Sequence, residues 1–173
     1  MTPGSRPDAK SPQQGLVIER IFDAPRDLVW KAWTDPEMLM QWWGPKIFTC
    51  PAARIDLRVG GKYLVCMQSE TGEEAWKRGI WSTGEYREIV EPEKLVMTDC
   101  FADENGNVVP STHYGMEGIP LEMLVTVTFE ALAHNQTRMT LVHEGLPAGE
   151  HSEGANIGWN ESFDKLAEAV VRA

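Results

Sequence analysis

The sequence predicts an α+β protein: a curved antiparallel β-sheet wrapped around a long C-terminal helix, with two short helices after the first strand. Three observations carry this. Trp159, Phe163, Leu166 and Val170 recur at helical steps, so residues 153–172 form an amphipathic helix with one apolar face. Leu121, Met123, Val125, Val127 and Phe129 alternate with Glu122, Thr126, Thr128 and Glu130, the period of a half-buried strand. Several strand-like segments follow one another through short turns, and such neighbours pair antiparallel. A sheet with one apolar face and a single apolar helix bury each other.

In chain order, residues 1–14 mix Pro, Ser, Gly, Gln and charges with no apolar run, and read as a disordered leader to a single domain over 15–173. Leu16 to Phe22 is a short strand. Asp23-Ala24-Pro25 starts a helix over Arg26 to Thr34, and Asp35-Pro36 starts a second over Glu37 to Trp43, ended by Gly44-Pro45. Ile55, Leu57 and Val59 alternate with Arg54, Asp56 and Arg58 up to a turn at Gly60-Gly61. Strands follow over Lys62 to Gln68, Lys77 to Val90 and Leu95 to Ala102, with Gly79 and Gly84 placed to bend the second. After the strand at 121–130, a turn at Ala133 to Gln136 leads into Thr137 to Glu144, where Met139, Leu141 and His143 share a face.

The net charge of −10 argues against a nucleic-acid partner, which calls for a basic stripe, and against docking on an anionic membrane. With no secretory segment and no stretch of transmembrane length, the expected location is cytoplasmic. Cys50, Cys66 and Cys100 are odd in number and lack CxxC spacing, so buried reduced thiols are expected.

Candidate chemistry concentrates on the inward surface. His143 follows Met139 and Leu141 inward, as a polar ligand anchor, a general base or a histidine satisfied by a neighbour. Asp99 shares the parity of Leu95, Met97 and Phe101, but Val96 and Cys100 opposite are also apolar, so its face is open; inward, it calls for a partner, Arg87 or His143, and a raised pKa. Trp42-Trp43 either caps the core or forms a lid. His113-Tyr114 lies in the long loop 103–120, as surface chemistry or as a closing element. Asp103 to Asn107 has its Gly at the wrong position for a calcium loop and reads as a turn. His143, Glu144 and His151 lack zinc spacing, so no metal and no cofactor are expected.

Phe22-Asp23-Ala24-Pro25, Val29-Trp30-Lys31-Ala32-Trp33-Thr34-Asp35-Pro36, Trp42-Trp43-Gly44-Pro45, Asp56 to Gly61, Gly84 to Ile89, Val125 to Glu130 and Gly158-Trp159 with Asp164-Lys165-Leu166 together resemble the family of proteins similar to the activator of the Hsp90 ATPase. The resemblance covers about residues 16–172 and departs at Val59, where the family often has Pro, and in a longer loop 103–120. It implies the helix-grip fold of the START and Bet v 1-like superfamily, whose cavity lies between the sheet and the long helix. That superfamily includes carriers, cyclases, hydrolases and cochaperones, so fold alone does not decide function.

The Met- and aromatic-rich inward surface points to a small, largely hydrophobic ligand held between sheet and helix, lined by Trp43, Phe48, Met97, Asp99, Met123, Met139, His143 and Trp159. A cyclase- or hydrolase-type enzyme using a polar group of the same cavity, with no catalytic residue identifiable by motif, is the alternative. An Hsp90-directed interaction module is the other.

Overall fold

The computed structural model describes residues 15–173; the leader read at residues 1–14 lies outside them. The chain runs β1 (Leu16–Phe22), α1 (Arg26–Thr34), α2 (Pro36–Leu39), β2 (Thr49–Ile55), β3 (Lys62–Gln68), α3 (Glu74–Arg78), β4 (Ile80–Val90), β5 (Lys94–Ala102), β6 (Met123–Leu132), β7 (Gln136–Glu144) and α4 (Glu150–Arg172). The seven strands form one antiparallel sheet in the order β1-β7-β6-β5-β4-β3-β2. After β1 the chain crosses through α1 and α2 to the far edge of the sheet, then returns strand by strand. The sheet curls around α4.

Local chemistry sets these elements. The Pro25 carbonyl accepts the Leu28 and Val29 amides at the start of α1, a place where the missing proline N–H costs nothing. The Asp35 side chain caps α2 by accepting from the Glu37 amide. Gly149, at φ 97°, turns the chain into α4, and Glu150 and Glu153 then sit at its positive end.

Several boundaries differ from the sequence reading. Helix α4 starts at Glu150 rather than 153, because Gly149 supplies the turn. Helix α2 ends at Leu39, with Trp42 and Trp43 in the following turns. Leu57 and Val59 are exposed and lie outside any strand. The Asp56 amide bonds across to Lys62, and the Arg58 amide folds back on the Asp56 carbonyl, so the chain turns before their alternation has a partner strand. Residues Lys77 and Arg78 belong to α3, where Trp76 packs on Phe48 with ring centroids 5.3 Å apart, and Gly79 at φ 103° caps the helix just before the next strand. Strand β6 starts at Met123, leaving Leu121 exposed.

Inside the curl, Phe163 and Leu166 of α4 are fully buried, with Val170 beside them and Trp159 half-buried. Phe163 meets Trp42 and Trp33 at centroid separations of 6.0 and 6.2 Å. Trp33 also meets Trp42 at 4.8 Å, and its indole N–H lies 3.2 Å from the Met139 sulfur. The end of the grip nearest α1 and α2 is therefore filled by aromatic rings. Contacts on both flanks fix α4. Arg20 of β1 donates to the Asn160 carbonyl and pairs with Asp164 at 2.8 Å. From the other side, the Lys165 ammonium donates to the Pro45 and Phe48 carbonyls at 3.2 and 2.9 Å, and Glu161 accepts from the Lys46 amide. Among the described residues, no helix is long and apolar enough to cross a membrane.

Candidate ligand site

Residues directly opposite in an antiparallel sheet point to the same face, so register decides what lines the grip. Tyr63, Val65 and Met67 of β3 face Gly84, Ser82 and Ile80 of β4. Ser82 faces Phe101 and Tyr86 faces Met97 on β5. Met97 and Asp99 face Val125 and Met123 of β6, and Val125 faces His143 of β7. Because Tyr63, Met97 and Val125 belong to the buried core, this is the inward face, and Asp99 is on it. Gly84 is required within this band: a Cβ there would overlap the Thr98 carbonyl and the Tyr63 ring.

Asp99 and His143 stand on strands separated by β6. Two strand spacings would hold their backbones roughly 10 Å apart, yet Asp99 Oδ2 and His143 Nε2 are 3.3 Å apart, above the Met123–Val125 segment. The two side chains lean toward each other across β6. His143 is 4% exposed, and the Asp99 side chain keeps 19% of its surface open. From the helix side, Trp159 Nε1 donates to His143 Nδ1 at 3.0 Å. The neutral imidazole therefore carries its proton on Nε2, toward Asp99. That Nε2 makes no aligned hydrogen bond despite the short separation. Among the described residues, no backbone or side-chain group donates a hydrogen bond to the Asp99 carboxyl.

Burial pushes the Asp99 carboxyl above its ordinary range, and the nearby His143 opposes this only in part. Burial also lowers the His143 imidazole, with Asp99 pulling the other way. Both shifts disfavour charge. The pair is thus a poorly solvated carboxyl, raised but still an acceptor, beside a neutral imidazole, each with hydrogen-bonding capacity left over.

Around it the wall is apolar. Met123 is buried beside Asp99, and Ser82 and Phe101 are half-buried further along the same face. Trp159 and the half-buried Trp43 meet edge to face at 5.5 Å. The structure therefore gathers Asp99, Met123, His143 and Trp159 on one part of the inward face, with Trp43 against Trp159; both tryptophans also pack on Trp33, so the group adjoins the aromatic cluster at α1 and α2. Met97 and Met139 lie deeper, as core. Phe48 packs against Trp76, with its carbonyl held by Lys165, and stands apart from the pair. Phe101 and Ser82 were not singled out from the sequence, because which face of their strands points inward was undecided. Two depressions, of about 610 and about 180 Å³, lie elsewhere. The first runs along the β2 edge past Leu64 and Trp81, and the second over Thr83, Thr98 and Cys100.

The other candidates resolve into structural roles. Tyr114 donates to the Ala102 carbonyl and accepts from the Trp81 amide, so it pins the 103–120 loop to the ends of β4 and β5. The Glu117 carbonyl meets His151 Nε2 at 2.7 Å, which ties the same loop to the first turn of α4. Asp103 accepts from the Asn105 and Asn107 amides, which makes it the anchor of a turn and holds its carboxyl below the usual range. Cys50, Cys66 and Cys100 are free and buried, and burial raises all three thiols.

A curled seven-stranded antiparallel sheet gripping one long C-terminal helix, with short helices after the first strand, is the helix-grip architecture. The profile of the family described as activator of Hsp90 ATPase homolog 1-like protein matches residues 23–171, and the chain belongs to that family. Among solved structures, a protein of Chromobacterium violaceum is 28% identical, with a TM-score of 0.70 over 91% of this chain and 96% of its own. A protein of Arthrobacter aurescens is 26% identical, with a TM-score of 0.71 over 93% of this chain and 88% of its own. The AHSA1 protein of Silicibacter pomeroyi shares the fold at 23% identity, with a TM-score of 0.68 over 90% of this chain and 96% of its own. No curated protein matches the chain at a significant level.

Proposed function

We propose that this protein binds a small, largely apolar molecule beside the Asp99–His143 pair, between the sheet and the first half of α4. The observation that carries it is the Asp99–His143 pair: two inward titratable groups 3.3 Å apart, with unused hydrogen-bonding capacity, set in an apolar wall. A core without a ligand role rarely keeps a carboxyl there, since an unpaired buried polar group is costly. The half-buried Trp43, Trp159 and Phe101 offer ring faces and edges for the apolar part of the ligand. Membership of a family whose superfamily fold holds ligands between sheet and helix supports the same placement.

Native mass spectrometry of protein purified from its own source, followed by thermal-shift screening of what co-purifies, tests this. A ligand at a hundred times its dissociation constant stabilises the folded state by about 2.7 kcal/mol. Absence of any bound species and of any shift across an apolar library would count against it.

A second reading has a specific observation in its favour. A carboxyl raised by burial suits exchange of a proton with a bound molecule, and the His143 Nε2–H beside it would hold that molecule by donating a hydrogen bond. Turnover of a bound molecule, lost on replacing either residue while binding persists, separates enzyme from carrier. Stimulation of an Hsp90 ATPase would instead favour the interaction module.

A further inference from the structure

On the binding reading above, we propose that the polar group of the ligand is a hydroxyl, seated between His143 Nε2 and the Asp99 carboxyl. Trp159 occupies His143 Nδ1, so the ring presents an N–H, and only an N–H, toward the site. Nε2 is buried with no aligned acceptor, and the ring belongs to a residue 4% exposed. The Asp99 carboxyl receives no hydrogen bond from any described residue and keeps an open side. The site thus offers one donor and one strong acceptor, too poorly aligned to satisfy each other.

A hydroxyl answers both, because its oxygen accepts from Nε2–H while its hydrogen goes to the carboxylate. An ether or ketone oxygen accepts but leaves Asp99 unmatched. An ammonium suits Asp99 but points a further donor at Nε2–H. A carboxylate meets a like charge, and among the described residues Asp99 has no Lys or Arg within ion-pair distance. The apolar lining by Phe101, Met123 and Trp159 calls for an alcohol or phenol on a hydrocarbon or aryl body.

The test uses matched aryl probes in calorimetric titrations: naphthol, methoxynaphthalene, naphthalenemethylamine and naphthoate. Naphthol should bind at least about tenfold tighter than methoxynaphthalene, as befits a hydrogen bond to a charged group. In Asp99→Leu that ratio should fall to about one, whereas in His143→Phe both probes should weaken while naphthol keeps its advantage, because each oxygen accepts from Nε2–H but only the hydroxyl donates to Asp99. Equal affinities for naphthol and methoxynaphthalene in the wild type would overturn the hydroxyl assignment and leave the binding reading standing. Tighter binding of the amine or of naphthoate would overturn it likewise. If none of the four binds, the binding reading itself fails for ligands of this class, and the hydroxyl with it. A ratio that survives in Asp99→Leu, or affinities of both probes unchanged in His143→Phe, would place the hydroxyl elsewhere.

Discussion

The indole N–H of Trp159 ends on Nδ1 of His143, 3.0 Å away, so a residue of the long helix sets the protonation pattern of a residue on the sheet. An imidazolium would need a hydrogen on Nδ1, pointing at the indole hydrogen. Trp159 therefore opposes protonation of His143, in the same direction as burial.

Trp159→Phe removes that opposition. The His143 midpoint, which lies below the ordinary 6.5 in the native protein, should rise in the variant. Proton NMR titration of the imidazole reads it directly. An unchanged or lower midpoint would show that the indole bond does not govern the tautomer.

Asp99→Leu should be more stable than the wild type at neutral pH. The folded-state pKa of Asp99 lies above the usual 3.8, so its ionisation opposes folding. That cost is absent below 3.8, grows as pH rises toward the folded value and is complete above it. His143, held below 6.5, costs stability as pH falls through 6.5, and losing Asp99 deepens that depression. Both effects make the advantage of the variant shrink as the pH is lowered. Urea midpoints between pH 4 and pH 7 measure it, and an advantage that grows toward acid would contradict this sign.

Phe163→Ala should destabilise the fold by about 3–5 kcal/mol, through lost burial and a residual cavity. The ring is fully buried against Trp33 and Trp42. A loss under about 1 kcal/mol in urea unfolding would mean the helix is not gripped through this ring.

Lys165→Met should loosen the 45–48 loop. The ammonium bonds two carbonyls of that loop from α4, and such charge-assisted bonds contribute about 1.5–3 kcal/mol. Faster amide exchange over residues 46–48, with Trp43 affected and β6 unaffected, is the expected pattern. Uniform exchange across the sheet would indicate global destabilisation instead.

Elements governed by local periodicity were legible in the sequence. The alternation of Met123 to Phe129 and the spacing of Phe163, Leu166 and Val170 both give the buried faces found in the structure. Leu57 and Val59 have the same alternation and are exposed, because a strand also needs a partner and the chain turns at Asp56 first. The site was legible in its members more than in its geometry. His143 was expected inward, and it was a named partner for Asp99. Which face Asp99 takes depends on the register of β5 against β4 and β6, and both faces of β5 are apolar enough to leave that open. The Trp159–His143 bond depends on where α4 lies after the turn at Gly145 to Gly149, a tertiary relationship that no local pattern contains.

The most direct test of the central claim is a side-chain NMR titration with naphthol, following the Trp159 indole, the His143 imidazole and the methionine methyls together. The account predicts shifts concentrated at Trp159, His143 and Met123, with the indole of Trp30 and the methyl of Met139 little changed. Shifts concentrated instead at Trp81 and Met40, in the depression along the β2 edge, would contradict it.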